Sequence, residues 1–191
     1  MDREATSDGH AGLSRRAFLR GALAAGAGLL LCPVPQSVRA AVPPVRRRLA
    51  FYHTHTEKKL ELTYAIGRIY NPVAMNRLNA YLGDFRTGEI HPIDPQLMDI
   101  LWALQKRIGG RGVFSVISGY RSPYTNAALK RRSRGVAGNS LHMQGKAIDV
   151  RFSEVASEAL RDYAIDLQAG GVGFYPDSDF VHLDTGRVRT W

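Results

Sequence analysis

The sequence has 191 residues, of which 45% are hydrophobic and 23% charged, and this balance excludes a chain that is disordered throughout. The formal net charge of +9 favours an anionic partner such as nucleic acid, an acidic membrane surface or an anionic polymer. The single cysteine, Cys32, excludes an intrachain disulfide, so a packed core must stabilise the domain.

The first forty residues have the pattern of an export signal. Arg15 and Arg16 precede an apolar run, Gly21 to Leu31, that is too short to span a bilayer comfortably, and small residues at 38–40 suit signal peptidase. We therefore expect a twin-arginine signal peptide over 1–40, cleavage near Ala40 and a periplasmic protein with no membrane span left after cleavage. An uncleaved signal would instead leave a membrane tether.

Two consequences follow from cleavage near Ala40. The segment removed contains five arginines and three acids, which leaves a net charge of +7. It also contains Cys32, for which lipidation is the alternative, although the bulky Leu31 before it is unfavourable for that reaction.

The first half of the remaining chain alternates between predicted strands and helices. Prolines and arginines over 41–48 predict a linker, and runs at 49–56 and 60–64 predict a β-hairpin. Asn71-Pro72 and Asp94-Pro95 each predict a helix start. The histidines in this half, His53, His55 and His91, are interpreted as strand-surface or supporting residues rather than as metal ligands.

The second half has a predicted strand at 113–118 that leads into a loop carrying Arg121. Residues 123–138 predict a short helix with a solvated basic face and few aromatic residues, which argues against nucleic-acid binding. Alternation predicts a strand at 147–152, and Ser153 is expected to cap the helix that follows. Two closing strands are predicted at 172–175 and 180–183.

Three residues in this half could surround one divalent metal: His142, Asp149 and His182. Two imidazoles, a carboxylate and an open position are typical of catalytic zinc, which acidifies a bound water. Asp179, three residues before His182, is the candidate general base and later proton donor. Asp177 competes for that role, and Asp184 is favoured instead as a partner of His182.

The spacing of these residues resembles a known group of enzymes. Its motifs, in chain order, are Ser118-Gly-Tyr-Arg121, Ser140-x-His142-x-x-Gly145-x-Ala147-x-Asp149 and Asp179-x-x-His182. They resemble the zinc D-alanyl-D-alanine peptidases with the hedgehog-like fold (the LAS metallopeptidases). Within that group the likeness is to a twin-arginine-exported murein endopeptidase branch once labelled a domain of unknown function.

The resemblance covers residues 49–191 and implies an α+β domain with a small, mainly antiparallel sheet flanked by helices. It implies that His142, Asp149 and His182 bind Zn²⁺, that Arg121 and Ser140 bind substrate or support the site, and that Asp179 is catalytic. Many relatives have Glu where this chain has Asp179 and Trp where it has Val181, so the identity of the base is less secure than that of the ligands.

The function implied is zinc-dependent hydrolysis of peptidoglycan peptide cross-links, including 3-3 links, during cell wall remodelling. D,D- or L,D-carboxypeptidase activity on stem peptides and a non-catalytic, zinc-stabilised wall-binding module are the alternatives. A non-haem iron oxygenase also uses two histidines and a carboxylate, but its close His-x-Asp pairing is missing here. The scissile bond and the oligomeric state stay open at this level.

Overall fold

The computed structural model describes residues 43–133 and 135–191, so the predicted export signal and Cys32 lie outside the described residues. These residues form eight strands: β1 (Arg46–His53), β2 (Lys59–Ile66), β3 (Ile69–Tyr70), β4 (Phe114–Ser118), β5 (Ala147–Phe152), β6 (Gly171–Tyr175), β7 (Phe180–Asp184) and β8 (Arg189–Thr190). The four α-helices are α1 (Pro72–Tyr81), α2 (Pro95–Ile108), α3 (Pro123–Arg132) and α4 (Ser157–Leu167). Short 3-10 helices span Leu141–Gln144 and Pro176–Ser178.

All eight strands belong to one sheet in the order β3-β2-β1-β4-β5-β7-β6-β8. Strands β1 and β4 pair in parallel, as do β6 and β8, and the other neighbouring pairs are antiparallel. A parallel pair needs a long crossover, and α1 and α2 lie in the segment between β1 and β4. The predicted α+β fold with a mainly antiparallel sheet is confirmed.

One face of the sheet is covered by helices and forms the core. Helix α2 contacts β1 and α4, and α4 contacts β5, β6 and β7. Ile148 and Val150 of β5 and Val181 and Leu183 of β7 lie in this core cluster. Because successive side chains of a strand alternate between faces, the residues between them project from the opposite face, which holds the candidate site.

Capping residues followed by proline set the starts of three helices. The side chains of Asn71, Asp94 and Ser122 accept backbone N–H groups at the first turns of α1, α2 and α3. In each helix a proline follows the cap, where its missing N–H costs no hydrogen bond. The helix starts predicted at Asn71-Pro72 and Asp94-Pro95 are confirmed.

The predicted cap at Ser153 is wrong. Helix α4 begins at Ser157 after Ala156, which makes no side-chain capping bond. The Ser153 hydroxyl is already engaged, because it accepts the Val113 N–H at 3.0 Å and donates to Glu154. Ser153 therefore joins the start of β4 to the end of β5 instead of starting a helix.

The predicted linker over 41–48 also differs from the structure, because β1 begins at Arg46 and pairs with β2. Arg47 donates to Asp99 at 2.6 Å, so part of this basic run belongs to the folded domain. Within 43–133 and 135–191, none of the helices has the length and apolar character needed to cross a membrane.

Candidate metal centre

Three adjacent strands at the middle of the sheet bring the predicted ligands together. Ser118 of β4 lies opposite Asp149 of β5, and Asp149 lies opposite His182 of β7. Asp149 and His182 share the face away from the core, so strand register alone places them next to each other. This explains how residues 33 positions apart form one site.

His142 enters the site from the 3-10 helix Leu141–Gln144. The Ser140 side chain accepts the His142 N–H at the start of this helix, at 3.4 Å. Gly145 ends it with φ 64°, and a Cβ at this position would lie 2.1 Å from the Pro92 carbonyl oxygen. Gly145 therefore provides the backbone freedom that this turn needs, and any other residue would displace the turn that carries His142.

The donor atoms of the three residues form a compact triangle. His142 Nε2 lies 3.2 Å from Asp149 Oδ1 and 3.2 Å from His182 Nδ1, and His182 Nδ1 lies 2.9 Å from Asp149 Oδ1. Ligands about 2.05 Å from a tetrahedral zinc ion would be about 3.3 Å apart. The three side chains are at most 10% exposed. The donor set therefore fits one zinc ion that keeps a further coordination position for water or substrate.

The outer nitrogen of each imidazole has its own acceptor. His142 Nδ1 lies 2.7 Å from the Gly119 carbonyl oxygen, and His182 Nε2 lies 3.0 Å from Asp184 Oδ2. These acceptors favour the tautomers that leave His142 Nε2 and His182 Nδ1 free to bind a metal. Asp184 is thus the partner of His182 that the sequence favours, and it is fully buried.

Burial and neighbouring charges set the ionisation of the site. Burial lowers the pKa of His142 below its usual range. Burial would raise the pKa of Asp149, but His142, His182 and Arg121 favour its charged form and hold it well below the usual range. Burial would lower the pKa of His182, but hydrogen bonds to Asp149 and Asp184 outweigh it and raise the pKa. A metal at His182 Nδ1 therefore competes with a proton.

Arg121 lies at the edge of the metal centre. Its Nε donates to Ser118 Oγ at 2.8 Å, and its Nη2 contacts Asp149 Oδ2. Its backbone N–H donates to the His142 carbonyl oxygen at 3.2 Å. The guanidinium is thus fixed beside the ligands and also lines the adjoining cleft, where it can contact a substrate carbonyl.

The three ligands line a cleft of about 410 Å³. The cleft is also lined by Ser133, Gly135, Val136, Ala137 and Asn139. An aromatic group with one arginine lines it as well, and this group consists of Tyr175, Phe180, Arg189 and Trp191. Tyr175 stacks on Phe180 at 4.6 Å, and Trp191 lies 5.2 Å from the His182 ring.

Sequence reasoning missed this aromatic group. Strands β6, β7 and β8 bring its members together, and the β6–β8 pairing joins positions 18 residues apart. The aromatic and basic residues near the end of the sequence are the signal that could have indicated this group.

The candidate base Asp179 lies beside the cleft, and its carboxylate is engaged with another side chain. Asp179 is in the left-handed conformation, with φ 49°, between Ser178 and Phe180, which both line the cleft. Its carboxylate pairs with Arg151 at 3.0 Å, and its side chain is 65% exposed. Its role as general base stays a prediction that requires release from Arg151. Asp177 is exposed in the preceding 3-10 helix.

The remaining histidines lie in separate aromatic contacts. His53 is buried at the end of β1 and packs near Tyr81 and Phe85, while His55 is exposed and stacks on Phe85 at 4.3 Å. His91 stacks on Tyr120 at 4.8 Å. Among the residues that the structure describes, the metal-compatible group consists of His142, Asp149 and His182.

An α+β domain with a buried His-Asp-His donor set that lines an open cleft is typical of a metal-dependent enzyme. The comparisons with known proteins narrow this class. The chain belongs to the M15_2 peptidase family, whose model is described as peptidoglycan L,D-endopeptidase MepK and matches residues 41–191.

Curated relatives support this membership over most of the chain. The chain is 40% identical to the peptidoglycan L,D-endopeptidase MepK of Escherichia coli K12, covering 93% of this chain and 96% of that protein. It is also 40% identical to the probable peptidoglycan L,D-endopeptidase MepK of Haemophilus influenzae, covering 87% of this chain and 90% of that protein. The resemblance to the D-alanyl-D-alanine peptidase group with the hedgehog-like fold is confirmed.

Proposed function

We propose that this peptidoglycan-hydrolysing peptidase is a zinc-dependent murein endopeptidase that cuts L,D peptide cross-links, including 3-3 links. Membership of the family described as peptidoglycan L,D-endopeptidase supports a murein endopeptidase. The observation that carries the zinc assignment is the triangle of donor atoms from His142, Asp149 and His182, which line the cleft.

Zinc is the metal that suits this donor set best. Neutral imidazole and carboxylate are ordinary zinc ligands, and three protein ligands leave a position open for chemistry. Bound there, zinc would acidify a water molecule and polarise the scissile carbonyl. The residues that would hold it are His142 through Nε2, His182 through Nδ1 and Asp149 through a carboxylate oxygen.

Other cleft residues have assigned roles in this proposal. Arg121, already fixed by Ser118 and Asp149, stabilises negative charge that develops on the carbonyl oxygen of the scissile bond. Ser140 supports His142 by accepting its backbone N–H. Asp179 takes a proton from the attacking water and returns it to the leaving amine after its carboxylate leaves Arg151.

The proposal includes export by the twin-arginine pathway and enzymatic activity in the periplasm. Arg15, Arg16 and the apolar run that follows support the route. The net charge of +7 left after cleavage near Ala40 would keep the enzyme close to an anionic wall polymer. N-terminal sequencing of the protein recovered from a periplasmic fraction tests the route and the cleavage point together.

Digestion of defined muropeptides tests the reaction. The purified full chain is incubated with 3-3 cross-linked dimers, 4-3 cross-linked dimers and uncross-linked stem peptides, and the fragments are identified by mass spectrometry. We expect monomers from the 3-3 dimer, loss of activity with a chelator and recovery with added zinc. His142→Ala is expected to be inactive.

Each contrary result identifies another function. Release of a terminal residue from the uncross-linked stem would indicate a carboxypeptidase. A folded, zinc-loaded protein that binds sacculi without cutting any of these substrates would indicate a wall-binding module. Iron in place of zinc in protein purified without added metal would contradict the assigned metal.

A further inference from the structure

Asp184, the hydrogen-bond partner of His182, is a fully buried carboxylate that accepts five hydrogen bonds. Oδ1 accepts the backbone N–H groups of Gly171 at 3.2 Å and Gly186 at 2.8 Å, and it also accepts Arg189 Nη1 at 3.0 Å. Oδ2 accepts His182 Nε2 at 3.0 Å and Arg189 Nη2 at 2.7 Å. With both oxygens engaged, Asp184 is unsuited to act as the general base.

Arg189 binds this carboxylate with both terminal nitrogens, in the bidentate arrangement that fits a guanidinium to a carboxylate. Its Nη1 also donates to the Arg187 carbonyl oxygen at 3.0 Å, and its guanidinium lies 4.7 Å from the centre of the Trp191 ring. Because both Nη atoms are used within the protein, Arg189 is poorly placed to clamp a substrate carboxylate in the same way.

We propose that Arg189 is a positioning residue of the metal centre. It holds Asp184, and Asp184 holds Nε2 of His182, so that Nδ1 faces His142 and Asp149. This inference rests on the proposed zinc site. It adds that β8 and the turn before it orient a metal ligand that lies on β7.

The geometry indicates why a guanidinium stands at this position. A lysine ammonium is a point charge and cannot bind both oxygens of Asp184 in parallel while it also contacts the Arg187 carbonyl. Substitutions of the outer partners of metal ligands weaken metal binding by about 10–100-fold. Because Arg189 acts on His182 through Asp184, we expect Arg189→Met to weaken zinc binding by about 10-fold, at the lower end of this range, and Arg189→Lys to have a smaller effect.

The test is the zinc dissociation constant of the full chain, measured by competition with a chromophoric chelator for the wild type, Arg189→Met and Arg189→Lys. Arg187→Met is the matched control, because it removes the same charge from an exposed side chain in the same turn. The absorption spectrum of the cobalt-substituted protein provides a second readout, since a shifted His182 ligand alters the visible bands.

The results separate this inference from the proposed function. Weaker zinc binding and altered cobalt bands in both Arg189 variants, with Arg187→Met unchanged, would support the positioning role. Wild-type zinc affinity in both folded variants would overturn the positioning role. Failure of the conservative Arg189→Lys variant to fold would also overturn it, because Arg189 would then be required for folding itself. A wild-type chain that binds no zinc, or binds it equally well after His142→Ala, would instead overturn the proposed metal centre.

Discussion

Replacing Gly145 with alanine tests how strictly the turn after His142 positions the metal centre. Gly145 has φ 64°, and its carbonyl oxygen accepts the Asp94 N–H at 2.9 Å, so the turn is anchored on both sides. An added Cβ would lie 2.1 Å from the Pro92 carbonyl oxygen, which is backbone and cannot rotate away. The turn and His142 must therefore move.

Two costs contribute to the expected loss of stability. The left-handed conformation costs a residue with a Cβ about 1–2 kcal/mol, and forcing an extra methyl group into a packed site adds about 1–3 kcal/mol. Gly88 separates these costs, because it has φ 78° and no atom lies within 4 Å of the position that an added methyl group would take. We expect a loss of about 3 kcal/mol for Gly145→Ala and about 1 kcal/mol for Gly88→Ala.

Thermal unfolding followed by circular dichroism measures the difference. For a domain of this size, 1 kcal/mol corresponds to about 2–4 °C in Tm. Gly145→Ala should lower Tm by about 6–12 °C and Gly88→Ala by about 2–4 °C. Gly145→Ala should also weaken zinc binding, whereas Gly88→Ala should not. Equal Tm losses and equal zinc affinities in the two variants would refute the steric argument.

Four further substitutions test the metal centre and its surroundings. Asp84 accepts the backbone N–H and the hydroxyl of Ser122, and its hydrogen bonds lower its pKa. Asp84→Ala should lower the free energy of unfolding by about 3 kcal/mol. The folded pKa of Asp84 lies below the unfolded value of 3.8, so the part of its stabilisation that depends on the charged carboxylate is present above that value and is lost as the pH falls through the folded pKa. The difference between variant and wild type in urea titrations should therefore become smaller in acid. Asp179→Asn should lower kcat by about 10²–10⁴-fold and leave zinc affinity unchanged. The control Arg151→Gln should not lower kcat. A wild-type kcat in Asp179→Asn would contradict the role of Asp179 as general base. Arg121→Lys keeps the charge but cannot make both hydrogen bonds of the guanidinium, so kcat/KM should fall by about 10²–10³-fold, and an unchanged kcat/KM would contradict its role.

The position of Asp149 just after the turn that carries His142 could be predicted because it depends on short-range patterns. Alternation along 147–152 placed Asp149 on the face opposite Ile148 and Val150, and Gly145 indicated a turn before it. The structure has both features. Helix starts at capping residues followed by proline were predictable for the same reason.

The features that sequence reasoning missed depend on pairing between distant segments. Ser153 has the composition of a helix cap, but the Val113 N–H competes for its hydroxyl across the β4–β5 pair. The direction of the Asp179 carboxylate depends on Arg151, which reaches it from β5. Arg189 reaches Asp184 because β8 returns beside β6. None of these contacts has a local sequence signal.

The charges around the metal centre favour the proposed chemistry. Two carboxylates, Asp149 and Asp184, are each bound by a guanidinium, from Arg121 and Arg189, so these four side chains are neutral in sum. Two neutral imidazoles add no charge, and a dication held by them would give the site a net charge of about +2. The exposed Asp179–Arg151 pair beside the cleft does not change this sum. A buried positive site of this kind stabilises the negative charge that develops on a scissile carbonyl, and it would also attract the carboxylates of a murein stem peptide. The arginines therefore have a common effect: they offset the carboxylates that hold and orient the ligands, so that the charge of a bound metal stays available to the substrate.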